Sequence, residues 1–120
     1  MKYSMFIGRW QPWHKGHRWL IDQRLQDGKN VLICIREVQK DDKNPYDPLV
    51  VKKNIESELE DLIAIAKVKV IVIPDIESVN YGRDVGYDVI EHIPPKDIEE
   101  ISGTKIRELK HFADDFHEGK

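Results

Sequence analysis

The stretch Gly8-Arg9-Trp10-Gln11-Pro12-Trp13-His14-Lys15-Gly16-His17 decides how the rest of this chain is read. Before it, residues 3–7 form a short apolar run that suits a buried strand. After it, residues 15–27 carry Leu20, Ile21 and Leu25 at helical spacing, with Gly28 where a C-terminal cap belongs. The stretch therefore sits at a strand-to-helix junction. In an open parallel sheet, ligands bind beyond the carboxyl ends of strands. A helix start adds free N–H groups and a positive dipole end, both of which favour phosphate. His14 and His17 are three apart and share one face of the first helical turn. Gly16 removes a side chain between them and opens the backbone to a ligand.

The pattern outside this junction repeats the same alternation. Residues 30–35 read as a second buried strand, and 37–44 as a polar loop. Asp47-Pro48 reads as an N-cap with proline at the first helical position. The helix that follows carries Val51, Ile55, Leu59, Leu62 and Ile63 on one face. Residues 67–73 form a third strand, 78–83 a brief fourth with a turn at Gly82, and 87–93 a fifth, stopped by Pro94-Pro95. Ser102 caps a last helix bearing Ile106 and Leu109. Strands alternating with helices predict an α/β fold: a single Rossmann-like domain with a mainly parallel five-stranded sheet flanked by helices. The expected domain covers residues 1–113, with 114–120 as a solvated tail.

Composition narrows the function classes. The chain has 120 residues, one domain on length, with 40% hydrophobic and 34% charged residues and a net charge of −3. No basic stripe marks a nucleic-acid partner. No apolar run approaches the length of a membrane span, and the first residues lack the apolar core of a signal peptide, so a cytoplasmic location is expected. The one cysteine, Cys34, lies in an apolar run and reads as a small buried hydrophobe. Two histidines three apart can also be surface residues or metal ligands. No Cys or further His stands at a zinc-like spacing, so no protein-held metal is expected. With 5 His and 7 Gly in the chain, H-x-G-H arises by chance about once in a hundred such sequences, and less often at a strand-to-helix junction.

A second constellation opens the last expected helix: Ile101-Ser102-Gly103-Thr104-Lys105-Ile106-Arg107. A capping hydroxyl, free helix N–H groups and a guanidinium one turn on suit a polyphosphate. Alone, such a run reads more readily as an ordinary capped helix. Together, the two runs resemble the paired signatures of the HIGH-motif nucleotidyltransferase superfamily. The first is closest in spelling to nicotinamide mononucleotide adenylyltransferases, which favour G-R-F-Q-P-x-H-x-G-H, with Trp10 here in place of Phe. Small cytidylyltransferases are similar but usually carry Asp where Gln11 stands. The second run is similar to the I-S-x-T-x-x-R signature.

The resemblance implies roles for particular residues. His14, His17 and Arg107 would be catalytic, with His17 nearest the reacting α-phosphoryl and Arg107 on the β- and γ-phosphates. Gly8, Arg9, Trp10, Gly16, Ser102, Gly103 and Thr104 would bind the nucleotide. Trp13, Arg36, Tyr81 and Arg83 are candidates for the acceptor, Arg36 because it follows the second strand and Arg83 because it stands on a loop at the fourth. Trp10 and Trp13 fit a core equally well, and Arg83 fits a surface pair with Asp84 or Asp88. Asn44-Pro45-Tyr46 resembles an N-P-F/Y turn of the nicotinamide-type enzymes and reads as a turn plus N-cap. The implied reaction moves a nucleoside monophosphate from a nucleoside triphosphate, ATP favoured, to a small phosphorylated acceptor, releasing pyrophosphate. Mg²⁺ would be carried mainly by the triphosphate. The alternatives are a CTP-using cytidylyltransferase and, from another class, a non-catalytic nucleotide-binding regulatory module. Surplus tryptophans leave a homo-oligomer open.

Overall fold

A computed structural model describes residues 1–83 and 86–99. The element order is β1 (Tyr3–Gly8), α1 (Lys15–Leu25), β2 (Asn30–Glu37), α2 (Pro48–Glu58), α3 (Glu60–Ala64), β3 (Val68–Pro74) and α4 (Lys96–Glu99). The three strands form one parallel sheet in the order β1-β2-β3. Phe6 stands opposite Ile33, and Ile33 opposite Val70. This row shares a pleat face with Val31, Ile35 and Val68, and all six side chains are buried. Ile21 of α1 and Val51 and Ile55 of α2 pack into the same cluster. The helices therefore cover that face. The opposite face carries exposed Met5 and Lys69, which accounts for the Lys–Val alternation at the start of β3.

Local signals place the helix ends. Asp47 caps α2 by accepting from the Leu49 N–H, with Pro48 at the first helical position, as its sequence predicts. The chain turns at Gly28 with φ +75°, and the Gly28 and Lys29 N–H groups donate back to Leu25 and Arg24, closing α1. The apolar face expected on one long helix is divided. Leu59, at φ −112° and ψ 23°, breaks it into α2 and α3 while its own side chain stays buried. Bending there lets Leu59, Leu62 and Ile63 all reach the core.

The fold is α/β with a parallel sheet flanked by helices, but the described residues hold three strands, not five. Residues 78–83 and 87–93, expected as the fourth and fifth strands, form no ladder. Val79, Tyr81, Tyr87, Val89 and Ile93 are all exposed. Apolar and β-branched residues favour a strand only where a neighbouring backbone and a covered face receive them. The His92 ring of this segment stacks on Phe6 of β1 at 6.2 Å, so His92 is a packing residue. The expected last helix, its Ser102 cap and the 114–120 tail lie outside the described residues.

Candidate nucleotide site

The link from β1 to α1 is pinned at two points. Trp10 takes a left-handed backbone, φ 55°, which an L-residue adopts at a cost of about 1–2 kcal/mol. Its indole N–H donates to the Cys34 carbonyl of β2 at 3.0 Å, and the ring is 5% exposed. A Cβ on Gly8 would stand 3.0 to 3.2 Å from three ring atoms of Trp10. Gly8 is thus small because the indole lies across it. Gln11 makes the second pin. Its Nε2 donates to the Tyr46 carbonyl at 2.8 Å, and its Oε1 accepts from the Tyr46 N–H at 2.9 Å. The two pins attach the junction to β2 and to the turn that precedes α2.

Beyond the pins, two histidines start α1. His14 is the N-cap, with an extended backbone, and its Nδ1 accepts from the Gly16 N–H at 3.0 Å. His17, three residues on, accepts the His14 N–H on its own Nδ1 at 3.2 Å. This is a capping box built from imidazoles rather than from Ser and Glu. An Nδ1 that accepts a backbone N–H has a free lone pair, so the neutral ring carries its proton on Nε2. Both rings then present an Nε2–H donor. They stack at 3.7 Å and 25°. Trp10 meets the His17 ring edge-on at 4.8 Å, and Trp13 lies across it at 5.4 Å.

This packing sets the electrostatics. Burial pushes the His17 pKa from 6.5 down to about 3, with the nearby His14 adding to the effect. Burial also lowers His14. The pair is neutral at physiological pH, and the first turn of α1 carries no acidic residue. The cap already engages the Gly16 and His17 amides, so what remains to make an anion-accepting corner is the two neutral Nε2–H donors and the positive end of the helix dipole. A groove of about 300 Å³ opens beside it, lined by Trp13, His14, Lys15, Arg18, Glu58 and Leu59. Arg9 is exposed next to the corner. Its charge helps to lower the Asp41 carboxyl, whose main stabilisation is the Asn44 backbone N–H.

The structure gathers Gly8, Arg9, Trp10, Trp13, His14, Gly16 and His17 at the carboxyl end of β1. Trp10 has its N–H committed to Cys34, so only its ring can serve a ligand. Arg36 stands at the carboxyl end of β2, bonded to the Asp75 carboxylate at 2.9 Å and to the Ile76 carbonyl at 3.4 Å. Tyr81 and Arg83 are exposed on an irregular segment rather than at the end of a strand. Ser102, Gly103, Thr104 and Arg107 lie outside the described residues. Two residues escaped the sequence reading as structural partners: Gln11, read only as a letter of the motif, and Asp75, which orients Arg36. A polar residue between two tryptophans was the only available hint for Gln11.

Among the described residues, no group of three or more His, Cys, Asp or Glu is placed to hold a metal ion, and no helix is long and apolar enough to cross a membrane. No protein-family model matches the chain, and no curated protein matches it.

Proposed function

We propose that this chain is a nucleotidyltransferase that moves a nucleoside monophosphate group, AMP by preference, from a triphosphate to a small phosphorylated acceptor. The observation that carries the reading is the His14–His17 capping box. It presents two neutral Nε2–H donors at the start of a helix, beyond the carboxyl end of a parallel strand. Neutral donors suit a transferring phosphoryl group, whose charge spreads over its oxygens as the bond to pyrophosphate loosens.

In this mechanism an acceptor phosphate oxygen attacks the α-phosphorus in line, and pyrophosphate leaves from the opposite side. No covalent enzyme intermediate forms. His17 donates to an α-phosphoryl oxygen, and His14 to a neighbouring phosphate. Because burial keeps both rings neutral, neither must lose a proton to reset. By the resemblance of the second motif, Arg107 neutralises the β- and γ-phosphates, and Ser102, Gly103 and Thr104 bind the nucleotide. Arg36, Trp13, Tyr81 and Arg83 are the acceptor-side candidates, and Asp75 holds the Arg36 guanidinium. Mg²⁺, carried mainly by the triphosphate, would supply further charge neutralisation and would ask few ligands of the protein.

The test is pyrophosphate release with ATP and with CTP, with and without Mg²⁺. Each is set against nicotinamide mononucleotide, phosphopantetheine, glycerol phosphate and phosphocholine. Magnesium-dependent release with ATP and one acceptor is the expected result. Release with CTP alone replaces the adenylyl assignment by the cytidylyl one. Triphosphate binding without release from any pair leaves the regulatory-module reading, and no triphosphate binding ends all three.

A further inference from the structure

We propose that Gln11 is a positioning residue: its buried carboxamide, bonded both ways to the Tyr46 backbone, fixes residues 10–13 and through them the His17 ring. The nucleotidyltransfer reading is needed for the kinetic part of this inference, not for the geometric part.

Gln11 is 3% exposed. Among the described residues, its carboxamide bonds at 2.8 and 2.9 Å to the carbonyl and the N–H of one residue 35 positions away. The carboxamide thus acts as a rung between two loops that share no strand ladder. The chain on one side of this rung is held by the Trp10 indole on Cys34. On the other side come Trp13 and the His14 cap. The His17 ring rests against three of these groups: Trp10 edge-on, Trp13 across its face and His14 stacked. One hydrogen bond from the His14 N–H, at 3.2 Å, leaves the ring free to tilt, and the two indoles limit that tilt. The indoles in turn stand where the two pins put them. A donor that must meet a developing charge loses effect steeply when displaced, so the rung bears on turnover more than on affinity.

The chemistry of the rung gives it a distinctive test. It needs one donor and one acceptor at the spacing of an amide. Glutamate at this position keeps the acceptor for the Tyr46 N–H but sets a charged oxygen against the Tyr46 carbonyl. Protonated, the same carboxyl donates to that carbonyl and rebuilds both bonds. Burial raises the pKa of such a carboxyl, so it protonates at mildly acidic pH. Methionine matches the volume and rebuilds neither bond at any pH.

Gln11→Glu, Gln11→Met and the parent protein are compared from alkaline to mildly acidic pH. Two quantities are read: the proton shifts of the His17 ring, which report the ring currents of Trp10 and Trp13, and kcat and KM for the triphosphate. At alkaline pH both variants are expected to show displaced His17 shifts and a kcat about tenfold to a hundredfold below the parent, with KM changed by less than about threefold. On acidification the Gln11→Glu shifts and kcat return toward those of the parent at the same pH, and those of Gln11→Met do not. Parent-like His17 shifts in both variants at alkaline pH, or no return in Gln11→Glu, overturn the proposal. If the variants do not fold, the parent protein decides by hydrogen exchange. A Tyr46 N–H protected like the amides of β2 supports the rung, and one that exchanges like an exposed loop removes it. If the parent shows no turnover with any triphosphate, the functional reading fails, and the ring shifts and the exchange still judge the rung.

Discussion

Replacing His17 by Asn separates its two jobs, because Asn keeps an acceptor where Nδ1 stands and has no proton to gain. The parent ring titrates near 6.5 when unfolded and near 3 when folded. A base whose pKa falls on folding leaves the unfolded state holding more protons between those values. Stability therefore rises with pH through that window, is fully present above about 6.5, and is lost as pH falls toward 3. With about 1.4 kcal/mol per unit, the loss from His17 on going from neutrality to near pH 5 is at most about 2 kcal/mol. For a domain of this size that corresponds to roughly 5–10 °C in Tm. His14, lowered by burial as well, acts in the same direction and is common to both proteins. The assay is thermal unfolding across that range, parent against His17→Asn. The variant should show the shallower dependence on pH, with the gap appearing on the acid side. Equal slopes, or a His17 ring that titrates near 6.5 in the folded protein, would refute the reasoning.

The same His17→Asn variant should lose turnover by about 10²–10³ with little change in triphosphate affinity, the scale for removing one donor to a developing charge. An unchanged rate in the pyrophosphate assay takes His17 out of the mechanism. Gly8→Ala should cost about 1–3 kcal/mol in urea unfolding, because the new methyl meets a ring that its bond to Cys34 cannot release. Combined with Trp10→Phe, which trims that ring, the cost of Gly8→Ala should shrink by at least about 0.5 kcal/mol; additive costs would contradict the packing account. Arg107→Ala should weaken triphosphate binding in calorimetry by about tenfold or more and leave the monophosphate nearly untouched, since a charged hydrogen bond contributes roughly 1.5–3 kcal/mol. Equal losses for both ligands would contradict its assignment to the β- and γ-phosphates.

Much of the architecture is legible without coordinates, and the reason is local. A strand of apolar residues, an Asp-Pro cap and a Gly at a helix end each act within a few positions of themselves, so β1, α1, β2, α2 and β3 can be read in order. The motif at the first junction is legible in the same way, since a helix start carries the positive end of its dipole wherever it occurs. The pairings that give the site its shape are not local. Trp10 finds Cys34 across 24 residues, Gln11 finds Tyr46 across 35, and Arg36 finds Asp75 across 39. No periodicity encodes such partners, because they depend on which loops the sheet order brings to one end. The same holds for residues 78–83 and 87–93. Their composition favours strands, but a strand is a pairing, and among the described residues β1-β2-β3 is the whole ladder. What the sequence alone determines here is therefore the alternation of elements and the chemistry at their junction. Tertiary packing decides the rest: the Cys34 and Tyr46 bonds hold residues 10–13 in place, and burial against the two indoles keeps the His17 ring neutral, while the Nδ1 contacts of His14 and His17 are local to the cap.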